Sequence, residues 1–305
     1  MLSLFRNIFG LIVLIGFLTP ALAESDPPAR VGRLSLAEGD VTFRADRQDP
    51  GNPAVVNWPV SSGAILDTGG RSRAEVWIGS TAYRLAGNSR AEFVAVDDRR
   101  VNLQLATGTL AVTIRDRNQA DDLDIETPEG RVRFAGAGRY RIEAGSDRTT
   151  VASQSGTAEV IAGGRTFAVR AGEMATLGGS GRVGMESAPY GDDFDTWVSL
   201  RDNQEKSTLA RRNVSPYMTG YQDLDAYGDW DTADDYGTVW YPRAVSAGWA
   251  PYSDGRWAWV EPWGWNWIDA APWGFAPFHY GRWILIGDRW GWAPGAYTAR
   301  PVYAP

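Results

Sequence analysis

The chain has 305 residues, a formal net charge of −7, no cysteine, one histidine and fifteen tryptophans. An acidic chain without a Lys/Arg-rich stripe is unsuited to phosphate backbones, which excludes the usual nucleic-acid readers. The missing cysteines exclude disulfides, thiolate nucleophiles, Cys-ligated zinc and a lipidated cysteine, so packing alone must stabilise the fold.

Residues 1–23 have the pattern of a secretory signal: Arg6 in the n-region, an apolar run from Ile8 to Leu18, and Ala21-Leu22-Ala23 as a small-x-small cleavage site. The apolar run is shorter than the ~20 residues needed to span a bilayer, which favours cleavage before Glu24 over a retained anchor. The expected address is periplasmic or secreted, and the mature chain is not expected to span a membrane.

From 31 to 177 the pattern is β throughout. Short alternating runs include Val41-Thr42-Phe43, Ala74 to Ile78 and Tyr83-Arg84-Leu85, with further strands predicted at 91–96, 101–105, 109–115, 122–126, 131–134, 139–143, 149–153, 157–161, 165–169 and 174–177. Turn residues recur about every ten positions, which suits a sandwich, roll or barrel. Several landmarks stand in order: Gly39-Asp40-Val41, the segment Gly63 to Val76, Thr107 to Leu110, Thr127 to Gly130, Gly136 and Gly138, Gly156-Thr157, and Gly172-Glu173. On these residues the segment 31–177 resembles the FecR-like domain of exported bacterial proteins. That resemblance implies a β fold outside the cytoplasm. The best-known members relay a siderophore-transport signal to a sigma factor through a cytoplasmic N-terminal segment. Only Met1 to Asn7 precede the apolar run here, so that role is not carried over.

Residues 178–191 read as a Gly/Ser-rich linker. A helix is then predicted over 192–212, capped by Asp192 or Asp193, with Phe194, Trp197, Val198 and Arg201 on one face and Arg211-Arg212 at its end. It is expected to pack one domain on the other. Twelve of the fifteen tryptophans follow between Trp230 and Trp292, in a module predicted over 220–297. Gly248 to Trp257 and Gly274 to Trp283 superimpose without a gap at an offset of 26 residues, and Trp-Gly-Trp occurs at 263–265 and 290–292, which suggests an internal hairpin repeat. Alternation places Trp257 and Trp259 on one side and Val260 on the other, and groups Trp263, Trp265 and Trp267 on one face. This module, with Phe194, Asp195 and Trp197 before it, resembles the uncharacterised tryptophan-rich domain that follows FecR-like domains in exported Gram-negative proteins. Residues 298–305 read as an extended, Pro-containing, disordered tail.

The chemistry-bearing residues are sparse. His279 is the only histidine and no Gly-x-Ser-x-Gly elbow accompanies it, so a packed imidazole is the ordinary reading. Asp254, Glu261 and Asp269 could serve glycoside hydrolysis, but no spacing fixes a pair across a cleft. Asp223, Asp225, Asp229, Asp231, Asp234 and Asp235 offer hard oxygens without the spacing of a calcium loop. The expectation is therefore a mainly β protein: a FecR-like β-sandwich or roll, a connecting amphipathic helix and a small Trp-rich hairpin module. It is expected to be a non-enzyme with no catalytic residue, cofactor or metal. Its partner would be an envelope glycan, peptidoglycan or an envelope protein, contacted by Trp257, Trp259, Trp265, Trp267 and Trp283 with Arg256 and Arg282. The alternatives are an extracytoplasmic regulatory protein that engages a membrane partner and, below it, a carboxylate glycoside hydrolase.

Overall fold

The computed structural model describes residues 26–189, 191–205 and 209–305, so the expected signal at 1–23 lies outside the described residues. The N-terminal part is built from β1 (Gly32–Glu38), β2 (Val41–Arg44), β3 (Asn52–Pro53), β4 (Pro59–Val60), β5 (Ala64–Thr68), β6 (Arg73–Ile78), β7 (Thr81–Leu85), β8 (Arg90–Val96) and β9 (Val101–Ile114). After the one-turn helix α1 (Arg117–Ala120) come β10 (Leu123–Thr127), β11 (Gly130–Phe134), β12 (Gly138–Ala144), β13 (Arg148–Ser155), β14 (Thr157–Ala162), β15 (Arg165–Arg170), β16 (Glu173–Gly178) and β17 (Arg182–Ser187).

These strands form two sheets that share β9. The first runs β4-β1-β6-β7-β9-β12-β13-β16-β17. The second runs β3-β2-β5-β8-β9-β10-β11-β14-β15, where only the β9–β10 contact is parallel. Thr107 of β9 still pairs with β8, whereas Gly108 already pairs with β12, so the strand changes sheets there. Gly108 has φ +91°, and a Cβ would come within 2.4 Å of Ser89 Cα, so only glycine fits the crossover. Separate strands at 101–105 and 109–115 were expected; the glycine bends the chain between sheets instead of reversing it. Leu34, Val76, Val112, Ile142 and Val151 from one sheet meet Val41, Leu66, Leu103, Ile125 and Val160 from the other in one buried layer. The result is a sandwich, because alternation sends every second side chain inward from both sheets.

Residues 182–187, expected as linker, form the edge strand β17 instead. Its side chains are almost all exposed, so it is held by backbone pairing to β16 and lacks the alternation from which strands are read. Helix α2 (Asp193–Glu205) is capped by Asp192, whose Oδ1 accepts from Phe194 N at 2.9 Å and Asp195 N at 3.0 Å. Phe194 and Val198 pack on Ala111 of the first sheet, with Trp197 beside them. The single helix expected over 192–212 is described only to Glu205; Ala210–Asn213 (α3) is a separate turn.

The C-terminal part contains α4 (Leu224–Tyr227), β18 (Gly228–Ala233), β19 (Gly237–Pro242), β20 (Gly255–Val260), β21 (Gly264–Asp269), α5 (Ala276–His279), β22 (Arg282–Ile286) and β23 (Arg289–Ala293). One sheet has the order β18-β19-β23-β22, and β20–β21 stands apart as a hairpin. The two segments that align in sequence diverge in structure. Residues 251–254 form a turn and bend before β20, whereas Pro277 lies in the first turn of α5 before β22.

The tail expected to be disordered is docked. Tyr303 is buried; its backbone N donates to Ala29 O at 3.1 Å and its hydroxyl bonds Asn266 Oδ1 at 2.6 Å, while Ala304 N donates to His279 O at 3.0 Å. The Tyr303 ring packs against Trp263 and His279 and adds to these bonds, contacts which a reading from composition does not register.

Candidate functional site

The tryptophans divide into a sealed set and a wet set. Trp240 and Trp292 are fully buried and lie in a core with Trp273, Phe275, Phe278 and Tyr280. Their indole N–H groups donate to backbone carbonyls, Trp240 to Leu224 O at 2.9 Å and Trp292 to Tyr280 O at 2.6 Å, which removes the usual penalty for burying an indole. The rings meet edge to face, as in Trp240–Trp273 at 5.1 Å. Trp283, expected to be a contact residue, is half-buried in this core against Trp240, Trp249 and Trp273.

The hairpin carries the wet set. Trp257 pairs with Trp267 and Trp259 with Trp265 across β20–β21, so all four indoles stand on one face. Trp257, Trp259 and Trp265 are 54%, 57% and 60% exposed, while Trp267 is 5% exposed. The difference is local cover: Tyr252 and Phe278 lie over Trp267, 5.6 and 6.5 Å between ring centroids. Trp259 and Trp265 meet edge to face at 5.8 Å, and Trp259 Nε1 donates to Glu261 Oε1 at 2.7 Å, which orients that ring. Trp263, expected on the same face as Trp265 and Trp267, precedes β21 and turns into the core, donating to Pro28 O at 3.0 Å. Arg256 and Arg282 are exposed; each guanidinium lies over a ring, Trp58 at 5.9 Å and Tyr236 at 6.0 Å.

The remaining candidates are drawn into the fold. Asp269 is buried and accepts from Trp267 Nε1 at 3.0 Å and Ala271 N at 2.9 Å; burial outweighs those bonds and pushes its pKa up to about 6. Glu261 is exposed, so it does not share a buried cleft with Asp269. His279 is buried, with Nδ1 2.8 Å from Ala304 O, and burial holds its pKa down to about 4. In the acidic run, Asp223 pairs with Arg33, Asp225 accepts from Ala210 N and Trp230 Nε1, and Asp229 pairs with Arg243. Among the described residues no group of three or more His, Cys, Asp or Glu side chains is arranged to hold a metal ion.

Residues 64–159 match the FecR protein family, and residues 221–305 match a family of unknown function, DUF6600. The chain therefore carries a FecR-like region followed by a region similar to DUF6600. No curated protein matches it. Two crystal structures of a candidate anti-sigma factor from Parabacteroides distasonis are similar at 11% and 9% identity, each with a TM-score of 0.38. They cover 44% and 59% of this chain, which spans 64% of the first and 99% of the second.

The sandwich shares a seam of buried polar groups with α2 and with the C-terminal part, and composition did not announce it. Arg84 Nε bonds Glu75 Oε2 at 2.6 Å and its Nη1 bonds Asp202 Oδ1 at 2.9 Å; Arg115, Arg139 and Arg201 complete the cluster under α2. Burial opposes ionisation of Glu75, but Arg84 and Arg201 outweigh it and hold the carboxyl well below the usual carboxylate range. On the DUF6600 side, Asn57 Nδ2 donates to Asp269 O at 2.9 Å and Ala271 O at 2.7 Å, and Arg33 reaches Asn57, Asp223 and Pro272 O. One sign was available in the sequence: Glu75 and Arg84 pair directly across β6–β7 on the face turned away from the sandwich core.

Proposed function

We propose that this chain is a non-enzymatic regulatory protein of the cell envelope, exported by residues 1–23, in which the FecR-containing sandwich holds the DUF6600 hairpin toward a protein partner. The FecR match supports the regulatory reading. The observation that carries the contact surface is the set Trp257, Trp259 and Trp265, each more than half exposed and side by side on one hairpin. Exposed contiguous indoles are costly to leave in water and are the residue type that dominates binding hot spots. A second reading, an envelope glycan stacked on the same rings, is favoured by the Glu261 bond that fixes the Trp259 ring beside Trp265.

The test uses the Trp257→Ala/Trp259→Ala/Trp265→Ala variant at wild-type abundance beside a deletion strain. Transcript profiling should show the same genes altered in both strains. An unaltered transcript profile in the deletion strain would remove the regulatory reading. Fluorescence quenching of the purified chain by peptidoglycan or envelope polysaccharides, lost in the triple variant, would select the glycan.

A further inference from the structure

A cavity of about 520 Å³ opens at the seam between the sandwich and the β20–β21 hairpin, lined by Phe43, Pro53, Val55 and Trp58, with Asp49 and Arg256 among its polar residues. Its size lies within the range of small-molecule sites, about 300–1,000 Å³. Trp58 packs against both hydrophobic cores and sits 6.0 Å from Phe43, so the aromatic wall is fixed from two sides. Arg256 comes from the other domain, and its guanidinium lies 5.9 Å from the Trp58 ring. Among the described residues neither the Arg256 guanidinium nor the Trp58 indole N–H has a hydrogen-bond partner. The acidic side chain present already has partners: Asp49 accepts from Ala45 N at 2.8 Å and Gly51 N at 2.9 Å, bonds that hold its pKa down.

We infer that this cavity binds a small organic carboxylate with an apolar or aromatic body. The body would lie against Trp58, Phe43, Pro53 and Val55, and the carboxylate would take the unpaired fork of Arg256 in a charge-assisted pair, the strong form of hydrogen bond beside an apolar wall. An uncharged ligand of the same shape would leave the guanidinium unmatched, and a cationic one would be repelled. Arg256 alternates with Trp257 along β20, so it leaves the hairpin on the face opposite the exposed indoles. The inference therefore does not rest on the partner proposed for those indoles. Because the lining comes from both domains, an occupant would also tie them together.

The probes are phenylacetate, 2-phenylethanol and phenethylammonium, titrated into the full chain and followed by saturation-transfer NMR. Phenylacetate should bind saturably, about tenfold or more tighter than the alcohol, with the ammonium weakest. Arg256→Met should lose that preference while still binding 2-phenylethanol, which shows that the variant retains its fold, and Arg256→Lys should recover part of it. Val55→Trp, which fills the cavity, should abolish binding of phenylacetate and 2-phenylethanol. Absence of saturable phenylacetate binding, or equal affinity in the wild type and Arg256→Met, would overturn the inference.

Discussion

Asp202 receives guanidinium groups from Arg84, Arg115 and Arg139 while only 2% exposed. Removing one member of such a buried cluster strands the others, so Asp202→Ala should cost about 3–5 kcal/mol in urea denaturation. A loss below about 1 kcal/mol would mean that the seam is wet. Two other buried groups act against each other. Asp269 rises from 3.8 to about 6, so between those values the folded chain binds a proton that the unfolded chain releases, and stability falls as pH rises. His279 drops from 6.5 to about 4, so the unfolded chain takes up the extra proton and stability falls as pH drops. The wild type should therefore be nearly flat between pH 4.5 and 6, since Glu75 and Asp192, both held low, act below that window. Asp269→Asn should expose the His279 contribution, a gain of about 2 kcal/mol as pH rises, and His279→Asn should show the opposite slope. Two profiles as flat as the wild type would contradict both shifts. The packing of the lone His279 was legible in the sequence; the burial of Asp269 was not, because an Asp at a strand end looks the same whether or not a neighbouring segment covers it.

At the scale of elements, alternation reads correctly wherever cover comes from the strand's own sheet. It placed Trp257 and Trp259 opposite Val260, and the structure leaves the first two exposed and buries the third. It did not distinguish Trp265 from Trp267, because Tyr252 and Phe278 arrive from outside the hairpin. The same limit explains β17, held mainly by backbone pairing with only Val183 packed on the core, and the tail, docked by the Tyr303 ring and by bonds from segments distant in sequence. The two indole sets should differ sharply in stability. Alanine at Trp257, Trp259 or Trp265 should cost about 1 kcal/mol or less, the size of a lost cross-strand aromatic contact, against about 3–5 kcal/mol for Trp292→Ala in the core. Chemical denaturation of the four variants checks this; equal losses would contradict the division.

For the whole molecule, the shift in composition near residue 190 marks two parts, yet the seam makes them one structure. Arg33, Asn57, Glu75 and Arg84 on the sandwich find partners in Asp223, Asp269, Arg201 and Asp202 beyond that point. Truncation at 192 would leave those groups buried or newly bare, so loss of activity on truncation would not locate a function; point variants on the hairpin can. The expected calorimetric behaviour is a single unfolding transition, and two well-separated transitions would show that the parts fold independently. Apart from Glu75 and Arg84, the seam was hidden because its polar side chains read as ordinary solvated groups until α2 and the C-terminal module cover them.

Oxidative footprinting of the native chain, read residue by residue by mass spectrometry, separates indoles sealed in the core from indoles exposed on the hairpin. Trp257, Trp259 and Trp265 should be modified first, while Trp240, Trp267, Trp273 and Trp292 remain protected until the chain unfolds. Protection of the three hairpin indoles equal to that of Trp240 and Trp292 would mean that the hairpin has no exposed aromatic face.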